Sequence, residues 1–313
     1  MTGSEAASAH TAAMAVRRRA AGLLLALLGS VAFSGKAIIV KLAYRYGVDA
    51  VTLIMLRMLF ALPIFAAMAW WASRGKAALT RKDWMGVLWL GFTGYYLASF
   101  LDFAGLAYIS ASLERLILYL NPTLVLLFGL VAYGRKITAQ QLVGMAISYS
   151  GVVLVFGQEI NVQGQGAALG ALLVFLSAVS YAVYLVYSGE LVQRLGSIRL
   201  VGLATSIACL LCIAQFALLR PLDAAFVAPE VIWLSMLNAT LCTAAPVLMV
   251  MMAIERIGAS LTAQTGMVGP MSTIAMGVLI LGEPFTVWVA AGTVLVIAGI
   301  FVFTRRRASP RAC

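Results

Sequence analysis

The sequence predicts an all-α integral membrane protein whose ten transmembrane helices form two inverted-topology five-helix repeats. Three observations predict it: an apolar composition, ten stretches of spanning length, and a repeat at constant offset. Of 313 residues, 63% are hydrophobic and only 11% charged, with a mean hydropathy of +1.01. So few polar side chains could not cover a soluble core of that size. A helix needs about 20 apolar residues to span hydrocarbon, and such stretches fall near 20–42, 50–72, 84–104, 107–132, 138–156, 167–188, 198–219, 230–253, 258–281 and 286–304. The repeat has an offset of 148 residues: Pro122 falls on Pro270, Gly129 on Gly277, Gly134 on Gly282, Thr138 on Thr286, Gly144 on Gly292 and Gly151 on Gly299. Ala111, Ser112 and Leu113 fall on Ala259, Ser260 and Leu261 without a gap, which marks a duplication.

The elements follow in order. Residues 1–16 read as a disordered tail, and His10, the single histidine, is not a ligand there. Arg17 to Arg19 before an apolar run has the look of a secretory signal peptide. The run is too long, however, and Gly22 aligns with Gly170 of the sixth span, so it is read as a retained first helix. The first repeat then occupies 17–157, a polar, glycine-bearing linker 158–166, the second repeat 167–304, and a basic tail 305–313.

Basic residues orient the bundle. With a cytoplasmic amino terminus, that side collects Arg17 to Arg19, Arg74, Lys76, Arg81, Lys82, Arg135, Lys136, Arg194, Arg199, Arg256 and the terminal arginines, while the other keeps Lys41, Arg45 and Arg220. This is the positive-inside bias. It accounts for the net charge of +11 without nucleic acid, because the cations sit at helix ends and form no aromatic-interleaved stripe. Both termini are expected in the cytoplasm. Five crossings per half make the second half enter from the opposite side, the arrangement that many secondary transporters use. The turn Gly134-Arg135 against Gly282-Glu283 obeys the same inversion.

The doubled pattern of Ala111 through Gly151 and Ala259 through Gly299, with Arg57 early in the second span and Tyr181-Ala182-Val183-Tyr184 in the sixth, resembles the ten-helix, EamA-type members of the drug/metabolite transporter superfamily. The first copy departs from the pattern by carrying Arg135 where the second has Glu283. Within the superfamily, the spacing around Tyr96, Glu114 and Tyr181 is similar to that of the YddG-type amino-acid exporters. The resemblance implies a secondary transporter of small metabolites, foremost an amino-acid exporter, aromatic substrates included, in a bacterial inner membrane. Another amphipathic metabolite or a drug is the alternative cargo.

Charges inside the spans are the sharpest candidates for function. Lys36, Arg57, Asp102, Glu114 and Arg115 lie in apolar stretches, where an ionisable group costs at least about 2.5 kcal/mol unless paired or wet. Counted from the helix ends, Lys36, Arg57, Glu114 and Arg115 share one depth, about 10 Å below the outer surface, and Asp102 lies nearer that surface. Their repeat partners Tyr184, Thr205, Val250, Thr262 and Ala263 are uncharged, so the layer is one-sided. It serves either as an outer vestibule or gate for an anionic group, or as internal ion pairs that fix packing. Arg57 and Glu114 match best in depth, whereas the adjacent Glu114 and Arg115 are expected on different faces. A proton-coupled mechanism would use Asp102 or Glu114, the carboxylates in the spans.

A second layer is aromatic and amide in character. Tyr95, Tyr96 and Ser99 in the third span, Tyr119 and Asn121 in the fourth, Tyr181 and Tyr184 in the sixth, Asn238 in the eighth and Gln264 in the ninth suit a midplane substrate pathway. Pro122 and Pro270 each remove a backbone donor at equivalent mid-span positions and are candidate helix breaks. The small-residue stripes Gly144, Ser148, Gly151 and Gly292, Gly299 suit scaffold packing of the fifth and tenth spans. Cys209 and Cys212 form C-x-x-C inside the seventh span with no histidine or second pair to complete a zinc set, so packing is expected and no metal. No Walker A motif is present, and no nucleophile with its base suggests an intramembrane enzyme, so no cofactor is expected. The expected partners are a small-molecule substrate and the lipid bilayer.

Reporter fusions after residues 16 and 307 should both read cytoplasmic and one near Gln163 external. An external carboxyl terminus would remove the even helix count and the inverted repeat together.

Overall fold

The computed structural model describes residues 3–133, 138–163, 165–257, 262, 265–266 and 268–304. Every long element among them is helical: α1 (Gly3–Tyr44), α2 (Ala50–Ser73), α3 (Arg81–Leu90), α4 (Ala98–Leu106), α5 (Ala111–Leu118), α6 (Asn121–Tyr133), α7 (Ala139–Gln163), α8 (Gln165–Leu195), α9 (Ser197–Leu219), α10 (Pro229–Ala239), α11 (Ala245–Ile257), α12 (Gly269–Met276) and α13 (Val287–Thr304). Wide, π-helical turns at Gly91–Leu97, Thr240–Ala244 and Gly277–Leu281 join α3 to α4, join α10 to α11, and extend α12. Eight stretches are long and apolar enough to cross a membrane, Val16–Tyr44, Ala50–Ser73, Arg81–Leu106, Ala111–Val131, Ala139–Asn161, Gly166–Leu195, Ser197–Leu219 and Pro229–Val250. Two shorter apolar helices follow, Gly269–Leu281 and Val287–Val302. The start of the expected ninth span falls largely outside the described residues.

Two boundaries differ from expectation. The sequence predicts a disordered tail over 1–16, yet α1 begins at Gly3, and its alanine-rich start, of the highest helix propensity, continues the helix ahead of the span Val16–Tyr44. The expected linker 158–166 is helical on both sides of residue 164, since α7 runs to Gln163 and α8 starts at Gln165.

The chain divides into two compact units that cut across the sequence repeats, one of Met1–Ala78 with Leu195–Met276, the other of Leu79–Arg194 with Gly277–Cys313. In the first unit α1 packs along α11, and α2 along α9 and α10. The α2–α9 contact is close because a Cβ on Gly202 would stand 2.8 Å from the Ala69 backbone nitrogen. Charged caps finish these helices. Arg199 donates to Ser73 Oγ and to the Ala77 carbonyl, both at 3.1 Å, where the end of α2 attracts a cation. At the opposite end Asp49 caps α2, accepting from the Val51 nitrogen at 2.9 Å and from Thr52 Oγ1 at 2.6 Å, and Arg220 approaches within 3.3 Å.

In the second unit α7 packs along α13. Glycines set the distance: a Cβ on Gly151 would stand 2.7 Å from the Gly292 carbonyl, and one on Gly299 would stand 2.6 Å from the Gly144 carbonyl. The segment α3–α4 runs antiparallel along α8, from Asp83–Arg194 at 2.8 Å, through Ser180 Oγ to the Thr93 carbonyl and Ser177 Oγ to the Ala98 carbonyl, both 2.7 Å, to Gly105 against Gly170. Thr80 and Asp83 form a capping box at the start of α3.

The duplication is visible in individual contacts. A Cβ on Gly22 would meet Ile257 and Arg256, and one on Gly170 would meet Ile109 and Tyr108. Each of these residues maps onto its counterpart by the offset of 148, so the α1–α11 packing of the first unit is the repeat image of the α4–α8 packing of the second.

Two measurements check this account. Gly170→Leu forces α8 away from the Gly105 carbonyl, and overpacking of this kind costs about 1–3 kcal/mol. Gly157→Leu, at an exposed position with nothing within 4 Å, should stay within about 0.5 kcal/mol. Thermal melts of the detergent-purified variants should separate them. The second measurement concerns Asp49. Burial raises its pKa, but the Thr52 and Val51 hydrogen bonds and Arg220 outweigh that, and the net shift is downward. A depressed folded-state pKa gives stability that is present above the unfolded value and lost as pH falls through the folded value. Asp49→Asn should therefore lower the melting temperature at neutral pH, and the gap to wild type should close on acidification.

Candidate functional site

Each unit carries its own share of the expected residues. In the second unit the wide turn Gly91–Leu97 delivers Tyr95 and Tyr96. Such a turn lets backbone carbonyls drift out of register with the next donors, and here hydroxyls on α8 take two of them, Ser180 on Thr93 and Ser177 on Ala98. The same turn opens space at Gly94, against which the Tyr184 ring packs. Tyr184 then joins Tyr95 and Tyr181. Its hydroxyl lies 3.2 Å from that of Tyr95, their rings meet edge-on at 5.2 Å, and the Tyr181 ring stacks on it at 5.5 Å. Tyr96 stands apart, its ring 5.4 Å from Phe92. Ser99 is half-buried one turn beyond Tyr95, and Asp102 is buried on the side of α4 that carries Ala98 and Gly105, the side facing α8.

The fourth span is broken in two. α5 ends at Leu118, Tyr119 and Leu120 form a turn, and α6 restarts with Asn121 and Pro122 in its first turn, where a missing N–H is tolerated. Thr123 Oγ1 takes the Leu120 carbonyl at 2.7 Å and contacts the Tyr149 hydroxyl at 3.2 Å. Half-buried Asn121 keeps its Oδ1 without a hydrogen-bond partner. Glu114 and Arg115 are both buried in α5. The expectation that they diverge is corrected in part: Arg115 Nε lies 3.9 Å from Glu114 Oε2, because long side chains on adjacent positions can curl toward each other. That is an ion-pair distance, longer than a hydrogen bond. Beside the break lies an apolar cavity of about 280 Å³, lined by Ile117, Leu120, Tyr149, Phe156, Leu172 and Phe175 among others.

In the first unit Lys36 is buried on α1 with its ammonium 5.8 Å from the centre of the Phe33 ring. Arg57 is buried on α2, which packs along α9, the helix of Cys209 and Cys212, while Cys242 lies in the wide turn after α10. These cysteines are free and buried, and among the described residues no group of three or more His, Cys, Asp or Glu could hold a metal. Asn238 on α10 is 1% exposed with Oδ1 lacking a partner. Pro270, the second residue of α12, leaves the Gly266 carbonyl without its usual i+4 donor, and Ser30 Oγ replaces it at 2.8 Å. Ser34 Oγ supports the next turn at the Gly269 carbonyl, also at 2.8 Å. Gln264 lies outside the described residues. Arg57 and Glu114, matched in depth by sequence, belong to different units.

Sequence reasoning missed Glu283. Its carboxylate accepts from the Ala111 nitrogen at 2.7 Å, the Ser112 nitrogen at 3.3 Å and Ser112 Oγ at 2.8 Å, so it caps α5 from a distant turn where Gly282 adopts φ +73°. A carboxylate at a helix amino terminus is favoured by the macrodipole. The doubled Ala-Ser-Leu and the Gly-Glu turn were both noticed, but nothing in their separation of about 170 residues joined them. Ser30, Ser34, Ser177 and Ser180 were likewise legible only as small residues in apolar runs.

Comparison with known proteins bears directly on this arrangement. The EamA-like transporter family matches the chain twice, over residues 20–157 and 168–305. The uncharacterized transporter YcbK of Bacillus subtilis is 32% identical over 86% of this chain and 88% of its own length. An uncharacterized transporter of Archaeoglobus fulgidus is 23% identical over 91% and 97% respectively. A solved crystal structure shares the fold, with a TM-score of 0.62 over 91% of this chain and 96% of its own at 19% identity. With two copies of the family's repeat packed by equivalent glycines, the chain belongs to the EamA-like transporter family, a family of membrane transporters rather than enzymes, in the drug/metabolite transporter superfamily.

Proposed function

We propose that the protein exports amino acids, aromatic ones in particular, across a bacterial inner membrane by alternating access between two inverted repeats, with both termini in the cytoplasm. The observation that carries this reading is a pair of repeat-equivalent positions with opposite chemistry. Tyr181 and Tyr184 in the second unit map onto Phe33 and Lys36 in the first, and the ring stack of one pair corresponds to the cation–ring contact of the other. Both sit beside a wide turn, Gly91–Leu97 or Thr240–Ala244, and such turns in otherwise regular helices recur at functional sites. The second unit offers aromatic faces and hydroxyls and the first a buried cation, and each is a chemistry that an aromatic amino acid can meet. The spans of the first unit contribute the cations Lys36 and Arg57, and those of the second the carboxylates Asp102 and Glu114 together with Arg115.

The broken fourth span supplies the unpartnered Oδ1 of Asn121, and the pathway includes Tyr95, Tyr96, Ser99, Tyr119 and Asn238 in this reading. A second cargo, a drug or other amphipathic metabolite, is favoured by the apolar cavity beside that break.

Proteoliposomes preloaded with L-phenylalanine should accumulate labelled L-phenylalanine by counterflow above protein-free vesicles. Tyr181→Ala should weaken apparent affinity about tenfold, equivalent to ~1.4 kcal/mol, because it removes a ring face. Tyr184→Phe keeps the ring and loses only the contact with the Tyr95 hydroxyl, so its effect should be smaller. Counterflow no greater than in empty vesicles for every amino acid tried, alongside uptake of a cationic dye, would favour the drug reading.

A further inference from the structure

The first unit holds a polar face that its own packing does not require. Ser235, Asn238 and Cys242 recur at i, i+3 and i+7, on one side of the eighth span, and are 0%, 1% and 5% exposed. Cys242 fixes where that side points. A Cβ on Gly35 of α1 would stand 3.0 Å from its sulfur, and α2, which carries the buried Arg57, packs along α10. Ser235 Oγ and Asn238 Oδ1 have no hydrogen-bond partner. An unpartnered polar group in a membrane-spanning interior is costly and calls for a ligand, water or ion to explain it.

The repeat supplies the comparison that makes this informative. The equivalent residues in the second unit, 148 positions earlier, are Val87, Leu90 and Gly94, with Val87 and Leu90 equally buried. There the same helix face is apolar, and Tyr184 packs onto Gly94. Valine and leucine therefore satisfy the packing of this position in the fold. Serine and asparagine replace them in the unit whose spans carry the buried cations Lys36 and Arg57.

We propose that Ser235, Asn238 and Arg57 form a head-group site for a zwitterionic α-amino acid within the first unit. Arg57, with Lys36 adding its charge, receives the carboxylate as a charge-assisted acceptor. Asn238 Oδ1, an acceptor only, takes a proton donor, which in this substrate class is the α-ammonium. Ser235 Oγ can donate to the carboxylate or accept from the ammonium. The inference rests on the amino-acid reading above and narrows it: recognition requires both charges of the head group.

The test uses the full chain in nanodiscs, with tritiated L-phenylalanine as the probe and two competitors that each lack one charge, 3-phenylpropionate without the ammonium and phenethylamine without the carboxylate. Wild type should prefer phenylalanine to both by at least tenfold. Asn238→Leu should weaken phenylalanine by about tenfold and leave 3-phenylpropionate unchanged, because that competitor never used the Oδ1 acceptor. Ser235→Ala, nearly isosteric and thus safe for folding, should weaken phenylalanine by a few fold. Melting curves establish that each variant is folded. If wild type binds phenylalanine while both variants bind it normally, or if Asn238→Leu weakens both ligands alike, the head-group assignment is wrong and the transport reading stands. If wild type binds no amino acid, both fall.

Discussion

A bilayer offers no water to a stray peptide group, and the architecture of this chain follows from that constraint. At several points where a helix is widened or broken, a side chain completes the hydrogen bonding. Ser30 stands in for the N–H that Pro270 lacks, Ser177 and Ser180 cover carbonyls beside the wide turn at Gly91–Leu97, Thr123 covers the carbonyl at the break before Pro122, and Glu283 covers the amides that open α5. These irregular points carry Tyr95, Tyr96, Tyr119 and Asn121, whereas Tyr181 and Tyr184 stand on the regular helix α8. Irregular backbone inside a membrane is tolerated where protein or a polar cavity lines it, so the supporting serines are as necessary to the site as the residues that would touch cargo.

The repeat and the spans could be read from the sequence because both rest on periodic, local information. Glycine and proline positions recur at a fixed offset, and a run of apolar residues has a length that can be counted. The grouping into units was not legible, since it depends on which helices meet, and the first unit takes α1 and α2 from one repeat and α9 to α12 from the other. Glu283 shows the same limit in a single residue: a cap normally lies within its own helix's first turn, and here it arrives from 171 and 172 residues away. The wide turns were invisible for another reason. Gly91–Leu97 and Thr240–Ala244 occupy equivalent places in the two repeats yet share almost no residues, so the feature is kept by packing and not by a motif.

Comparison of equivalent positions separates what the fold needs from what the cargo needs. Gly22 and Gly170 make the same close approach in their two units, and that constraint is structural. Lys36 against Tyr184, Arg57 against Thr205, and Asn238 against Leu90 occupy equivalent backbone with different chemistry. Buried ionisable and amide groups lower stability unless satisfied, and each of these stands in one copy without a like residue in the other.

The α7–α13 contact has a geometry that reaches back before the duplication. Gly151 meets Gly292, and their counterparts Gly299 and Gly144 meet in turn, so the offset maps each contact onto the other. That is the rule of an isologous interface, in which residue i of one subunit meets residue j of its twin and j meets i. A single five-helix ancestor bearing this glycine pair could have assembled with a second copy of itself through the same seam. In a pair of identical five-helix molecules, any charge at the position of Lys36 appears twice; a single chain has no such obligation, and one-sided chemistry is open to it.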